Sequence, residues 1–303
     1  MSRSLEPGSE AGGAQLPGRG SIRLAGYELG TAVLTRFRLD GGAMFGSVPK
    51  SLWERQAPAD SRNRIGLVAR VLVVKGAGSL VLVDAGVGDK FGAREREHFA
   101  VDEVPESSLP FRWDSVTDLV LTHLHFDHSG GATVWDSIPT TPLESRTARL
   151  RVPDARVYLG EENWLRARSP GVRERASYLS ENVAPLERAD LRLVKGTAEV
   201  LPGIHVFPSH GHTRGLQWVL IGDGPGAVAF PADLVPTSAH VHLPFVMGYD
   251  MCVETLLAEK QSFLNRAVEE EWIVVFAHDE KVPAARIVRG KDGRFQVGEI
   301  FEI

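Results

Sequence analysis

The sequence predicts an α+β fold in which β-sheets stack face to face and helices cover them. Short apolar and β-branched runs, bounded by Gly, Pro and Asp, recur from Tyr27 onward, as is typical of strands. Segments with helical spacing lie between some of these runs but do not alternate strictly with them. Because the strands come in clusters, the pattern favours a sheet sandwich flanked by helices over a doubly wound parallel sheet.

The predicted strands share β-branched, apolar interiors and end at turn-forming residues. They span residues 29–38, 66–75, 79–84, 118–121, 156–159, 191–194, 204–207, 216–221, 226–230, 272–276, 286–290 and 294–300. The clearest helix spans residues 251–271, where one face is apolar and the opposite face carries Glu and Lys.

The first 20 residues are rich in Gly, Pro and Ser and lack the apolar stretch of a signal peptide. We expect residues 1–20 to be disordered and residues 21–303 to form one domain. No window approaches the roughly 18 consecutive apolar residues of a membrane-spanning helix, so the sequence predicts a cytoplasmic protein. The single cysteine, Cys252, excludes an internal disulfide and fits a reducing compartment.

The net charge of the chain argues against polyanionic partners. A net charge of −5 and an isoelectric point near 6.1 give no general attraction to phosphate backbones or anionic lipids. No local basic patch is evident, so binding to nucleic acid or to a membrane is not expected. With one cysteine in the chain, a metal site would have to use histidine and carboxylate ligands.

The segment THLHFDHSGG, residues 122–131, places three histidines and an aspartate within six positions, directly after the predicted strand 118–121. Chance produces this pattern in fewer than roughly one in a thousand chains of similar histidine content. His123 and His125 can face one ion from alternate positions of an extended segment, while Asp127 and His128 can face a second ion beyond the bend. The segment therefore predicts a metal site.

With three later residues, the motif makes residues 27–303 resemble the metallo-β-lactamase-fold hydrolases. His212 in PSHGHTRG, Asp233 in FPADL and His278 in VVFAHD each follow a predicted strand, where that family places its remaining ligands. His212 is preferred to the neighbouring His210 because Gly-His-Thr matches the family's turn.

The resemblance implies an αββα sandwich of two mixed β-sheets flanked by helices, with a dinuclear centre at one edge. Zinc is the default metal, although Mn, Fe and Co suit the same ligands. One ion would be held by His123, His125 and His212, the other by Asp127, His128 and His278, with Asp233 bridging both. Asp84, in the family's early Asp-x-Gly turn, would orient a ligand histidine.

The same resemblance implies hydrolysis, in which a hydroxide shared by the ions attacks an ester-like bond of a small molecule, with Asp127 and Asp233 as the catalytic residues. A carboxylate at Asp233 is typical of lactonase-, phosphotriesterase- and glyoxalase-II-like members and not of true β-lactamases. His125 argues against the flavodiiron branch, which has Glu there. The alternatives are a glyoxalase-II-like thioester hydrolase and a non-enzymatic metal-binding protein that keeps the fold.

Two segments, residues 41–65 and 236–250, resemble those of quorum-quenching lactonases and methyl-parathion-type hydrolases. Apolar residues in them would suit a substrate with a hydrophobic portion. The alternative for each is packing in the core or in a homodimer interface. The candidate pocket residues are Met44, Phe45, Phe245 and Met247.

The chain also departs from that group. Related lactonases often have Tyr three residues after the bridging Asp, where this chain has Pro236, and Pro after Gly-His-Thr, where it has Arg214. His240 and His242 are candidates to replace the phenol as proton donor, the alternative being solvent-facing loop histidines. Without the phenol, we expect activated aryl esters or phosphotriesters to be cleaved better than unstrained alkyl esters.

Overall fold

The structure, a computed structural model, describes residues 20–76, 78–136 and 147–303. The expected disorder of residues 1–20 lies outside the described residues except for Gly20. The strands are β1 Ile22–Leu24, β2 Tyr27–Asp40, β3 Arg64–Gly76, β4 Ser79–Val83, β5 Asp102–Glu103, β6 Asp118–Val120, β7 Thr133–Trp135, β8 Ala148–Leu150, β9 Arg156–Gly160, β10 Asp190–Val194, β11 Ala198–Leu201, β12 Ile204–Ser209, β13 Leu216–Ile221, β14 Val228–Phe230, β15 Ile273–Val275, β16 Ala284–Arg289 and β17 Phe295–Phe301. The α-helices are α1 Gly41–Phe45, α2 Lys50–Trp53, α3 Ala93–Phe99, α4 Phe126–Ser129, α5 Glu161–Arg168, α6 Ser180–Val183 and α7 Val253–Glu269.

Most strands belong to one of two mixed sheets. The first has the order β1-β2-β3-β4-β6-β9-β10, with β5 paired to β2, and the second runs from β11 to β17 in chain order. β4, β6, β9 and β10 are parallel neighbours, as are β14 and β15. The other pairs within these sheets are antiparallel. Strands β7 and β8 form a separate antiparallel ribbon.

The layers follow from the two-residue alternation of side chains along a strand. In β3, Leu72 and Val74 point into the core between the two sheets, whereas Val71 and Val73 point into the core beneath α5. Helix α7 covers the outer face of the second sheet and buries Phe263 there. The layer order is therefore helix, sheet, sheet, helix, and the predicted αββα sandwich is confirmed.

All of the predicted strands and the predicted long helix are present, with ends that differ by no more than two residues. Helix α5 was not predicted. It buries only Asn163, Trp164 and Ala167, so its sequence shows no continuous apolar stripe. Within the described ranges, no helix combines the length and the apolar character needed to cross a bilayer.

The sandwich brings several strand ends to one edge. Asp84 follows β4, the histidine-rich segment follows β6, and Asp233 and His278 follow β14 and β15. Because β4 is parallel to β6 and β14 is parallel to β15, the carboxyl ends of each pair meet at the same edge. Strand β12 runs in the direction of β14, since both are antiparallel to β13, and His212 follows it.

A buried lysine holds one loop at this edge against α7. Lys260 Nζ donates to the carbonyl oxygens of His242 and Leu243, both at 3.2 Å, and of Phe245 at 2.6 Å. Burial lowers the pKa of Lys260 to about 7, although Asp250 opposes the shift. The ammonium group thus satisfies three carbonyl oxygens of residues 242–245.

We expect Lys260→Met to lower the free energy of unfolding by about 1–3 kcal/mol, because carbonyl groups would lose their buried donor. The matched control is Lys281→Met. Lys281 is exposed, and among the described residues its Nζ donates only to Gln56 O, at 3.4 Å, so its loss should change stability by less than about 0.5 kcal/mol. Urea denaturation measures both variants. Equal midpoints for the two variants would show that Lys260 is not a structural anchor.

Candidate metal centre

Asp84 organises the histidine-rich segment from the end of β4. Its Oδ1 accepts from Thr122 N at 2.7 Å, and its Oδ2 accepts from Thr122 Oγ1 at 2.9 Å. The same Oδ2 lies 2.7 Å from His128 Nδ1, which donates to it. One buried carboxylate therefore fixes both the start of the segment and the ring of His128, which fits the orienting role expected of Asp84.

The two glycines that end the motif are required by a close approach of two loops. A Cβ at Gly130 would lie 1.8 Å from Val87 O, and one at Gly131 would lie 2.1 Å from Ala85 O. The backbone bond from Ala85 N to His128 O, at 2.7 Å, holds the same contact. Any side chain at these glycines would force apart the loops that carry Asp84 and His128.

The structure brings all seven predicted ligand residues together, in two buried groups. The candidate ligand atoms within each group lie within 4.8 Å of one another. The first group is His123, His125, His212 and Asp233, and the second is Asp127, His128 and His278.

Asp233 joins the two groups. Its Oδ2 lies 3.1 Å from His212 Nε2, in the first group. Its Oδ1 lies 3.2 Å from His128 Nε2 and 3.0 Å from His278 Nε2, in the second group. One carboxylate thus presents an oxygen to each side, as a bridging ligand would.

In most of these histidines, the ring nitrogen that faces away from the ligand groups has a polar partner. His278 Nδ1 donates to Val68 O at 2.9 Å, and His212 Nδ1 donates to Asp250 Oδ1 at 2.9 Å. His123 Nδ1 lies 3.1 Å from Thr122 Oγ1. Such partners fix the ring orientation and leave Nε2 free to bind a metal.

Two inner atoms of the centre lack hydrogen-bond partners of their own. Among the described residues, His123 Nε2 and Asp233 Oδ1 are buried without a hydrogen bond, although the salt-bridge distances above bring Asp233 Oδ1 near two rings. His128 and His278 place their Nε2 atoms 2.9 Å apart, while each Nδ1 donates elsewhere. Two imidazole lone pairs at that distance repel unless a proton or a metal cation lies between them.

The buried negative charge of the centre also favours the binding of cations. The carboxylates of Asp84, Asp127, Asp233 and Asp250 are buried, and their ion pairs within the described residues involve only histidine. Buried anions need compensating charge. Imidazole and carboxylate are the ligands of zinc and of neighbouring transition metals. The residues present therefore fit two divalent cations.

The pKa shifts of the ligand residues reflect the electrostatic field inside the centre. Burial, and then the neighbouring His128, lower the pKa of His123 well below its usual value. Burial also opposes protonation of His128, but Asp233, Asp84 and Asp127 outweigh it and raise that pKa well above its usual value. Burial alone would raise the pKa of Asp233, but His128, His212 and His278 hold it well below its usual range. The negative field that favours a proton on His128 also favours a cation.

Two residues absent from the sequence prediction position the ligand loops. Asn163 Oδ1 accepts from Leu124 N at 2.9 Å, and its Nδ2 donates to Arg214 O at 3.0 Å, which ties the segment after β6 to the turn that holds His212. Glu259 of α7 accepts from the backbone of His210 and Gly211.

The preference for His212 over its neighbour agrees with the structure. His210 Nδ1 accepts from Gly215 N at 3.2 Å, and His210 belongs to neither ligand group. Arg214, which stands where related proteins often have Pro, is exposed and pairs with Glu162 at 2.6 Å. The departure at Arg214 therefore leaves the ligand set intact.

A cavity of about 180 Å³ opens onto the two groups. Its polar lining comes from His125, Asp127, His212, Asp233 and His278. The remaining lining residues are Leu39, Met44, Leu67, Phe99, Phe126, Ala176, Ser177, Met247 and Tyr249.

Two of the four predicted pocket residues lie in the cavity lining, and two lie outside it. Met44 and Met247 line it. Phe45 and Phe245 do not: Phe45 stacks between Trp53 and His240, with ring centroids 5.2 and 4.9 Å away, and Phe245 packs edge-on against Phe45. Consecutive residues of helix α1 face different sides, so Met44 reaches the cavity while Phe45 points into the core.

The structure places His240 and His242, the candidates to replace the phenol as proton donor, outside the cavity lining. His240 is buried, donates from Nε2 to Met44 O at 2.9 Å and accepts at Nδ1 from Thr237 at 2.7 Å. Burial lowers its pKa to about 3. His242 packs edge-on against Phe245, and neither histidine lines the cavity.

Comparison with known proteins places the chain in a family. The family model described as "Metallo-beta-lactamase superfamily" matches residues 64–278. The chain belongs to the metallo-beta-lactamase superfamily. Two N-acyl homoserine lactonases, from Bacillus sp. and Bacillus cereus, are 26% and 27% identical to this chain over 164 residues, which is 53% of this chain and 55% of each relative. The chain thus spans about half the length of the curated relatives it matches.

Solved structures share the superfamily fold over nearly the whole chain. A probable metal-dependent hydrolase from Staphylococcus aureus matches with a TM-score of 0.80 and 24% identity, covering 92% of this chain and 100% of that one. AidC, described as a dizinc quorum-quenching lactonase, matches with a TM-score of 0.74 and 17% identity, covering 95% and 99%. At these identities the likeness shows the fold.

We expect elemental analysis of this protein, after reconstitution with metal, to give about two divalent ions per chain. The seven ligand candidates outnumber the four ligands that one tetrahedral ion uses. Asp233→Ala should weaken the binding of both ions, since it removes an oxygen from each group. The control Asp223→Ala changes an exposed carboxylate and should keep both. A reproducible content of one ion or fewer in the unmodified protein would contradict the dinuclear site.

Asp250→Asn should lower metal affinity about 10- to 100-fold, the usual effect of losing a charged partner of a ligand histidine. Competition with a chromophoric chelator measures it. Asp292→Asn, at an exposed position, is the control and should leave affinity unchanged. Identical affinities for the two variants would mean that Asp250 does not support His212 as a ligand.

Proposed function

We propose that this chain is a metal-dependent hydrolase that holds two divalent ions and cleaves an ester-like bond of a small molecule, with lactones as the first substrate class to test. The observation that carries the proposal is Asp233, which presents one oxygen to each group of imidazoles at the floor of a cavity with apolar walls. Membership of the superfamily and the lactonase relatives support a hydrolase.

In this proposal, each ion has ligands from both sheets. His123, His125 and His212 would hold one ion, and Asp127, His128 and His278 the other, with Asp233 shared. Bound there, the pair of ions would supply hydroxide at neutral pH and polarise the substrate oxygen. Zinc is the first metal to test because AidC is described as dizinc. Asp127 and Asp233, both in the cavity lining, are the proposed catalytic carboxylates.

The cavity supports a small substrate with an apolar portion. Leu39, Leu67 and Phe99 line it together with the two methionines, and a volume near 180 Å³ is below the range of drug-sized ligand pockets. A related lactone hydrolase is described with N-hexanoyl-L-homoserine bound at its catalytic metal centre. A lactone or aryl ester ring at the metals, with its apolar substituent against these side chains, fits this lining.

The lining favours esters over glutathione thioesters. Glutathione carries two carboxylates, and recognition of them calls for basic side chains. Among the described residues that line the cavity there is no lysine or arginine. Cysteine-based chemistry has no support either, because the Cys252 thiol is exposed, lies outside the cavity lining and contacts Thr255 Oγ1 at 3.0 Å.

We expect the metal-loaded protein to hydrolyse N-acyl lactones or activated aryl esters with a kcat/KM at least about tenfold above that for a glutathione thioester. Activity should disappear on chelation and return with metal, whereas Cys252→Ser and thiol reagents should leave it unchanged, since no nucleophilic role is given to the thiol. A substrate panel that includes a phosphotriester measures this. The absence of turnover on every ester would favour a non-enzymatic metal-binding protein, and a preference for the thioester would favour the glyoxalase-II-like alternative.

A further inference from the structure

Two side chains in the cavity carry hydroxyl groups: Ser177 and Tyr249. Neither hydroxyl has a hydrogen-bond partner among the described residues. The other polar groups of the lining are the histidines and carboxylates of the two ligand groups. Tyr249 is about 40% exposed, so the ring stands at the mouth of the cavity. A free hydroxyl beside a hydrolytic centre can exchange protons with a bound substrate.

The backbone around Tyr249 is held firmly. The preceding residue, Gly248, donates from N to Ala43 O at 2.7 Å, and its carbonyl accepts from the Arg173 guanidinium. The following residue, Asp250, accepts from Met247 N at 2.7 Å and from His212 Nδ1 at 2.9 Å. The loop that carries Tyr249 is therefore tied directly to a candidate metal ligand, which fixes the backbone of Tyr249 relative to the centre.

Ester cleavage needs a proton at the leaving group. When the carbon–oxygen bond breaks, its electron pair stays on the departing oxygen, and an alkoxide leaves poorly unless it is protonated. The inner nitrogens of the histidines face the ligand groups, and the carboxylates are acceptors when ionised. Pro236, the residue three positions after Asp233, has no proton to give.

We propose that Tyr249 is the catalytic acid that protonates the departing oxygen of the substrate, an assignment that rests on the proposed ester hydrolysis. The oxygen of water adds to the carbonyl carbon, the bond to the leaving oxygen breaks, and that oxygen takes the proton of Tyr249 Oη. The phenolate then recovers a proton released by the attacking water. The sum is ester plus water giving acid plus alcohol.

The acidity of the group suits this role. Burial, and then the charges of Asp40 and Asp127, raise the pKa of Tyr249 to about 12. The phenol therefore stays protonated at neutral pH, while it remains a stronger acid than an alkyl alcohol. Proton transfer to a departing alkoxide runs downhill, whereas a nitrophenolate leaving group needs no proton. The assignment therefore predicts that the importance of Tyr249 depends on the leaving group.

The test is the dependence of kcat/KM on leaving-group pKa in the metal-loaded wild type, Tyr249→Phe and Ser177→Ala. Tyr249→Phe should lower kcat/KM for an alkyl lactone about 100-fold or more, the usual size of a general-acid effect, and change a nitrophenyl ester by less than about threefold. Ser177→Ala, which removes the other cavity hydroxyl, should keep the wild-type slope. Metal content and Tm of both variants should match the wild type.

A binding measurement tests the role of Tyr249 without depending on catalytic turnover. Calorimetry with the hydroxy-acid product should show about 2- to 10-fold weaker binding to Tyr249→Phe, the value of one neutral hydrogen bond. Parallel slopes for wild type and Tyr249→Phe, or a steeper slope for Ser177→Ala alone, would overturn the assignment and leave the proposed hydrolase standing. Failure of the wild type to cleave any ester would overturn both.

Discussion

The arrangement at this edge of the sandwich depends on one buried carboxylate. Asp233 offers separate oxygens to two sets of imidazoles, at 3.1 Å on one side and 3.0–3.2 Å on the other. No hydrogen bond satisfies its Oδ1 within the described chain, so the carboxylate is stable there only with positive charge around it. The outer carboxylates of Asp84 and Asp250 hold His128 and His212 in the orientation that this sharing requires.

The fold maintains this concentration of charge by constraining the backbone. Asp84 and Ala232 have φ values of +65° and +48°, in the left-handed region that costs a residue with a side chain about 1–3 kcal/mol. Each lies beyond the end of a buried strand, where the chain must turn to bring a carboxylate to the centre. At Asp84 the cost is offset by two hydrogen bonds from Thr122. Ala232, fully buried, delivers the next residue, Asp233, between the two imidazole sets.

The strands and the histidine-rich segment could be predicted from local patterns: β-branched runs bounded by turn residues, and three histidines and an aspartate within six positions. The assignment of His212, Asp233 and His278 depended on the resemblance to a known family. The sequence did not reveal Asp250 or Asn163, whose contacts join residues 38 and 39 positions apart through loop packing. The orientation of Phe45 and the burial of His240 were also missed. Both follow from stacking between residues that are far apart in sequence, which periodicity cannot show.

The most direct test of the shared carboxylate is the anomalous scattering of zinc in crystals of the metal-loaded protein. Two zinc ions in a bridged site lie roughly 3.5–4 Å apart. We expect two peaks at that separation, one in contact with His123, His125 and His212 and the other in contact with Asp127, His128 and His278, with Asp233 in contact with both. A single peak under saturating zinc, or two peaks with Asp233 bound to only one, would contradict this expectation.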